Sequence, residues 1–172
     1  ISPEGTKARY DKIHLFDVKI GEKEAYLESN TVRAGLHPKI YKAPFATIGF
    51  SVCYDLRFPE LFRLYCNSGA DIISIPSAFV YNTGKVHWHI LNQARAIENQ
   101  VYILASDQDG NHPEGRKSYG HSMIIDPWGK IIVEQKSQEG IITADIDLNA
   151  MHKLRSSFPV LAHRRLMNKD KI

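Results

Sequence analysis

A single α/β domain built on a parallel sheet is predicted by three observations. Apolar runs at 47–52, 71–75 and 101–105 alternate with two helical segments, and strand–helix–strand–helix–strand order calls for crossovers that leave the strands parallel. Proline and glycine punctuate the segments where such elements begin or end, Pro59 at a helix start, Gly69 at its stop and Pro76 at the close of a strand. The chain has 172 residues, 43% hydrophobic and 24% charged, enough for one sizeable core and too few for two average domains.

The elements follow in order. Tyr10-Asp11-Lys12-Ile13-His14-Leu15-Phe16-Asp17-Val18 reads as a strand, with Tyr10, Lys12, His14 and Phe16 on one face and Ile13 and Leu15 on the other. Residues 19–45 read as irregular, interrupted by Gly21, Gly35, Pro38 and Pro44. The run 47–52 is short and apolar, as a buried strand is, and it ends at Cys53. Pro59 suits a first helical turn, and Leu61, Phe62, Leu64 and Tyr65 carry that helix to its stop at Gly69. After the strand at 71–75, Val86, Ile90, Ala94 and Ile97 share one face of a helix over 85–99. The third strand covers 101–105. Short strands are then expected at 121–126, 130–134 and 141–145, the first two joined through Pro127-Trp128-Gly129, with a last helix over 148–157 and a polar tail. No repeat, low-complexity stretch or linker divides 1–172.

Composition narrows the function. The net charge of +3 is spread along the chain, with Lys169 and Lys171 the nearest approach to a basic tail, which argues against a nucleic-acid partner. No apolar stretch is long enough to cross a bilayer, and no signal peptide is visible. Two cysteines make no disulfide framework, so a reducing, cytoplasm-like compartment is expected, the mitochondrion being the alternative. The eight histidines are scattered, and His87-Trp88-His89 has no cysteine or carboxylate at ligand spacing, so no metal is expected.

Three residues carry chemistry. Cys53 follows a buried strand and opens a turn that holds Asp55, Arg57 and Glu60. A thiol there is either a small buried hydrophobe or, as at a nucleophile elbow, a side chain presented at the rim of the sheet. Lys12 lies among aromatic neighbours; it either snorkels to water or, held in a cleft, supplies a compact cation for an anionic transition state. Glu28, taken alone, is a loop carboxylate. Cys66 sits inside the first helix and reads as core, and Asp126-Pro127-Trp128-Gly129 as a hairpin turn.

The ordered motifs add a resemblance. Tyr-x-Lys-x-His-Leu-Phe at 10–16, Cys-Tyr-Asp-Leu-Arg-Phe-Pro-Glu at 53–60 and Pro-Ser-Ala-Phe at 76–79 are similar to the nitrilase (carbon–nitrogen hydrolase) superfamily, in that family's order. So are His87-Trp88, the helix Ala94-Arg95-Ala96-Ile97-Glu98-Asn99-Gln100, Tyr119-Gly120-His121-Ser122 and Asp126-Pro127-Trp128-Gly129. The chain most resembles the amidase branch containing deaminated glutathione amidases and omega-amidases, with Ser77 and the Tyr-Gly-His-Ser segment favouring the former.

The resemblance implies a four-layer α-β-β-α sandwich, a homo-oligomer and hydrolysis of a small terminal amide, with no metal or organic cofactor. It makes Cys53 the nucleophile, Lys12 the catalytic lysine, Glu28 the second carboxylate and the Tyr54 amide an oxyanion donor. Arg57 would anchor a substrate carboxylate, unless it forms a structural ion pair with Asp55 or Glu60, while Phe79 and Thr83 line the pocket. The family's general-base glutamate precedes its lysine by more residues than stand here, and Glu4 has the wrong context. The chain is therefore expected to be N-terminally truncated, the last two-thirds or so of the domain. The alternative is an inactive fragment that assembles with another subunit through an exposed sheet edge.

Overall fold

The computed structural model describes residue 5 and residues 8–20 and 24–166, so Glu4, Lys169 and Lys171 lie outside the described residues. In chain order the elements are strands β1 (Asp17–Ile20), β2 (Glu24–Leu27), β3 (Ile40–Lys42) and β4 (Thr47–Phe50), helix α1 (Pro59–Asn67), strand β5 (Ile72–Ser74) and helix α2 (Tyr81–Asn99). Strands β6 (Tyr102–Ala105), β7 (Asp109–Asn111), β8 (Lys117–Tyr119), β9 (Ser122–Ile125) and β10 (Ile131–Gln135) and helix α3 (Leu148–Ser157) complete the series.

The three predicted parallel strands are the centre of a six-stranded sheet of order β10-β9-β6-β5-β4-β3. β4 pairs with β5 and β5 with β6 in parallel, while β3, β9 and β10 join antiparallel. Helices α1 and α2 cover one face, burying Phe62, Tyr65, Trp88 and Ala96 against Ile73, Ile103 and Ile125. Each large apolar side chain buried this way contributes about 1.5–3 kcal/mol. The other face carries Ile72 and Tyr102, packed against Met151, Leu148 and Ile146. Gly49 brings α1 close: a Cβ there would meet the Tyr65 ring at 2.9 Å, and Tyr65 donates its hydroxyl to the Phe50 carbonyl.

Four expectations change. Residues 10–16 are not a strand, because their backbone groups find other partners: the N–H of His14 donates to Asp55, that of Phe16 to Glu28, and the Lys12 carbonyl accepts from Gly35. The stretch 19–45, whose Gly21 lies outside the described residues, is not wholly irregular, since β1 and β2 pair antiparallel and β3 adds an edge to the sheet.

Helix α2 begins at Tyr81 and turns a different face inward. Val86, Ile90 and Ile97 are 53%, 66% and 51% exposed, whereas Trp88, Asn92, Arg95, Ala96 and Asn99 are buried. The donors of the polar groups inside are met: Arg95 donates to the Leu56 carbonyl from both Nε (3.0 Å) and Nη2 (2.8 Å), and the Asn92 and Asn99 amides donate to the Trp88 and Arg95 carbonyls. Gly84 stays in the helix because a Cβ would sit 2.4 Å from Tyr119. Finally, 141–145 forms no ladder among the described residues; alternate positions there are exposed, but no neighbouring strand pairs with them. The expected turn between β9 and β10 is present, with Asp126 Oδ1 accepting the N–H groups of Trp128 and Lys130 at 2.9 Å each.

Candidate active site

The carboxyl ends of β4, β5 and β6 open on one rim, as ligand sites of parallel sheets do. Cys53 follows β4 and starts a 3-10 turn over Cys53–Arg57; Ser77, Ala78 and Phe79 follow β5; Ser106 and Asp107 follow β6. Cys53 adopts φ +50°, in the left-handed region that costs a non-glycine residue about 1–2 kcal/mol. That strained backbone aims the thiol at the rim and is held by its N–H donating to the Pro76 carbonyl at 2.9 Å.

Asp55 is the pin of this turn. It is fully buried, its Oδ2 accepting the Val52 N–H (2.9 Å) and the Tyr10 hydroxyl (2.7 Å). Its Oδ1 accepts the His14 N–H (3.0 Å) and lies 2.7 Å from His14 Nδ1, whose ring stacks on Phe58 at 3.7 Å. Part of the charge beside Cys53 is therefore structural. Burial and the adjoining Asp55 push the Tyr10 phenol up, so it remains a donor.

The segment so anchored delivers Lys12 to the pocket. Its Nζ lies 2.5 Å from Glu28 Oε2, and the same oxygen accepts the Phe16 N–H at 2.7 Å. Burial raises the Cys53 thiol, while the Ala78 backbone and the Lys12 ammonium pull it down and the Asp107 and Glu28 carboxylates push it up. The thiol therefore needs a base to become a thiolate near neutral pH.

Arg57 makes no ion pair among the described residues, so the structural pairing with Asp55 or Glu60 is not realised. Its guanidinium stands 5.1 Å from the Phe79 ring centroid and 3.3 Å from His87 Nδ1. Lys12, Glu28, Cys53, Tyr54, Arg57, Phe79 and Thr83 all line one cavity of about 770 Å³, a volume suited to a small molecule.

Two lining residues escaped sequence reasoning. Arg116 donates from Nη2 to the Ala78 carbonyl at 2.7 Å, and nothing in its loop signals that. Asp107 is 9% exposed; its Oδ1 accepts the Phe79 N–H at 2.7 Å and its Oδ2 has no hydrogen-bond partner among the described residues. Burial raises its carboxyl to about 7. Its place just after the third parallel strand, on the rim that holds Cys53, was the available signal. Apart from the pocket, His89, His121 and Glu134 gather three potential ligand atoms, a grouping hidden by their distance in sequence.

Comparisons with known proteins bear on the family and the fold. A family model described as carbon–nitrogen hydrolase matches residues 1–156. A deaminated glutathione amidase of Synechocystis is 46% identical over 167 residues, covering 95% of this chain and 61% of that protein. The crystal structure of the Caenorhabditis elegans NitFhit protein superposes with a TM-score of 0.88 at 44% identity, over 94% of this chain and 39% of that one. Saccharomyces cerevisiae Nit3, described as a member of branch 10 of the nitrilase superfamily, gives a TM-score of 0.78 at 36% identity, over 90% of this chain and 54% of that one. The chain thus spans about three-fifths of the Synechocystis relative.

Proposed function

The chain belongs to the carbon–nitrogen hydrolase family, and on that footing we propose that it hydrolyses a small terminal amide to a carboxylate and ammonia through a thioester on Cys53. The observation that carries this reading is the convergence of Cys53, Lys12 and Glu28 on one cavity. The Cys53 sulfur attacks the amide carbonyl, and the Lys12 ammonium with the Tyr54 N–H holds the developing oxyanion, a type of donor worth about 3 kcal/mol of barrier. Collapse expels ammonia and leaves the acyl group on sulfur; water then releases the carboxylate. Glu28, bonded to both Lys12 and the Phe16 amide, positions the lysine. A glutamate ahead of the lysine, implied by the family resemblance, takes the thiol proton, returns it to the departing nitrogen and then activates the water.

The substrate reading is deaminated glutathione or a similar keto-acid amide, supported by the likeness to deaminated glutathione amidases and by the Arg57 guanidinium in the pocket, which has no carboxylate partner among the described residues. Arg57 takes a substrate carboxylate, and Phe79 and Thr83 shape the wall. The chain assembles as a homo-oligomer, a reading supported by Val86, Ile90 and Ile97 standing exposed along α2. Among the described residues no helix is long and apolar enough to cross a membrane, and the compartment proposed is the cytoplasm.

Mass spectrometry of the protein incubated with deaminated glutathione tests the reaction. An acyl adduct on Cys53, with ammonia release abolished by Cys53→Ala, supports it; ammonia release that survives Cys53→Ala sinks it. The second reading, an assembly partner without activity, is favoured by one observation: the only carboxylates lining the described cavity are Glu28, committed to Lys12, and Asp107. Neither adduct nor ammonia would select it.

A further inference from the structure

Three ligand-type atoms from three separate elements converge outside the pocket. His89 Nε2 comes from α2, His121 Nδ1 from the turn between β8 and β9, and Glu134 Oε1 from β10, all within 4.8 Å of one another. Both ring nitrogens address the same oxygen, at 2.7 Å for His89 and 2.6 Å for His121. We propose that His89, His121 and Glu134 form a binding site for one borderline divalent transition-metal ion of the Zn²⁺ class, structural in role and separate from the Cys53 pocket.

The donor set argues for that ion class. Two neutral imidazoles and one carboxylate carry a single negative charge, and nitrogen donors favour Zn²⁺, Co²⁺ or Ni²⁺ over Mg²⁺ or Ca²⁺. Metal–donor distances of about 2.0–2.2 Å place the donors around one ion about 3–3.5 Å apart. The Glu134 oxygen therefore needs to retreat by only a fraction of an ångström, which rotation of its flexible side chain supplies. Each ring would then bind through the nitrogen that now faces Glu134 and keep its proton on the other nitrogen.

The rings are already oriented. His121 holds φ +61°, its N–H donates to the Lys136 carbonyl (3.1 Å), its own carbonyl accepts from Trp88 Nε1 (2.8 Å), and its ring stacks on Tyr119 at 4.2 Å. The three side chains are 29%, 22% and 20% exposed, which leaves a coordination position for water. An ion here would tie α2 to β10 through the turn that also supports the pocket, where the Tyr119 N–H donates to the Phe79 carbonyl and the Gly120 N–H to that of Gln108. The competing account is a polar cluster in which both rings simply donate to the carboxylate.

The test uses the full chain carrying Cys53→Ala, so that the pocket thiol does not compete for metal. After chelator treatment the protein is titrated with ZnCl₂ by calorimetry, and its Tm is followed with and without Zn²⁺. The expected result is saturable uptake of one ion per chain with a raised Tm, weakened about tenfold or more by His89→Gln and by Glu134→Gln. Control His163→Gln leaves uptake unchanged. Absence of one-per-chain uptake, or uptake indifferent to His89→Gln, overturns the proposal; should Glu134→Gln fail to fold, the partly exposed His89→Gln decides alone.

Discussion

Glu28 Oε2 bridges Lys12 Nζ at 2.5 Å and the Phe16 backbone N–H at 2.7 Å, so one carboxylate oxygen fixes both a charged side chain and the segment that carries it. Lys12 is largely shielded, its side chain 10% exposed. If Lys12 acts on the oxyanion, Lys12→Met lowers kcat by about 10²–10³ with little change in KM. Glu28→Gln keeps an acceptor for Phe16 but loosens the lysine, so its expected loss in kcat is smaller, roughly tenfold. Steady-state kinetics separates the two; an effect confined to KM would contradict the assignment.

Alkylation reads the thiol directly. Burial holds Cys53 above its ordinary value, so iodoacetamide should react slowly near neutral pH and faster as the solution becomes alkaline. Lys12 favours the thiolate; Lys12→Gln therefore moves the rise to higher pH. Asp107 opposes the thiolate when ionised, and Asp107→Asn moves the rise the other way. Rate against pH for the three proteins checks both signs.

Arg57 predicts a selectivity. Its guanidinium is stacked on Phe79 with no carboxylate partner among the described residues. Arg57→Ala should raise KM for an amide bearing a carboxylate by about 10–100-fold and barely affect one whose carboxylate is esterified. Equal losses on both substrates would point to a packing role instead.

Asp107 predicts a pH-dependent stability. Its carboxyl is raised from 3.8 to about 7 by burial. Between those values the folded chain keeps a proton that the unfolded chain has lost, so this group's contribution is complete below the lower value and declines as pH rises through the upper one. Asp107→Asn does not titrate and still offers an oxygen to the Phe79 N–H. Relative to the unsubstituted protein it should gain roughly 2–3 kcal/mol on moving from about pH 5 to about pH 8. Denaturant melts at both values measure the gain; a difference independent of pH would contradict the buried carboxyl.

The parallel strands and α1 were legible because their signals are local. A short apolar run alternating with helical segments reads as a strand from its own residues, and Pro59 is tolerated at a first helical turn, where its missing N–H costs nothing. Residues 10–16 misled because their alternation suits a strand, yet buried Asp55 and Glu28 take the backbone donors that a ladder would use. The apolar stripe of α2 misled for a related reason. Arg95, Asn92 and Asn99 could turn inward only because carbonyls of other residues, Leu56 among them, meet their donors.

By itself the sequence determined the α/β class, the place of Cys53 at a strand end and the motif order that marks the family, since each depends on residues near one another along the chain. Only the tertiary structure decided that Lys12 meets Glu28, that Arg57 is free of Asp55, and that Asp107 and Arg116 share the cavity. The same holds for His89, His121 and Glu134, which lie far apart in sequence and within 4.8 Å in space. Charge and hydrogen-bond capacity are written in the residue types. Which group spends them on which partner is set by burial, and burial exists only once the chain has folded.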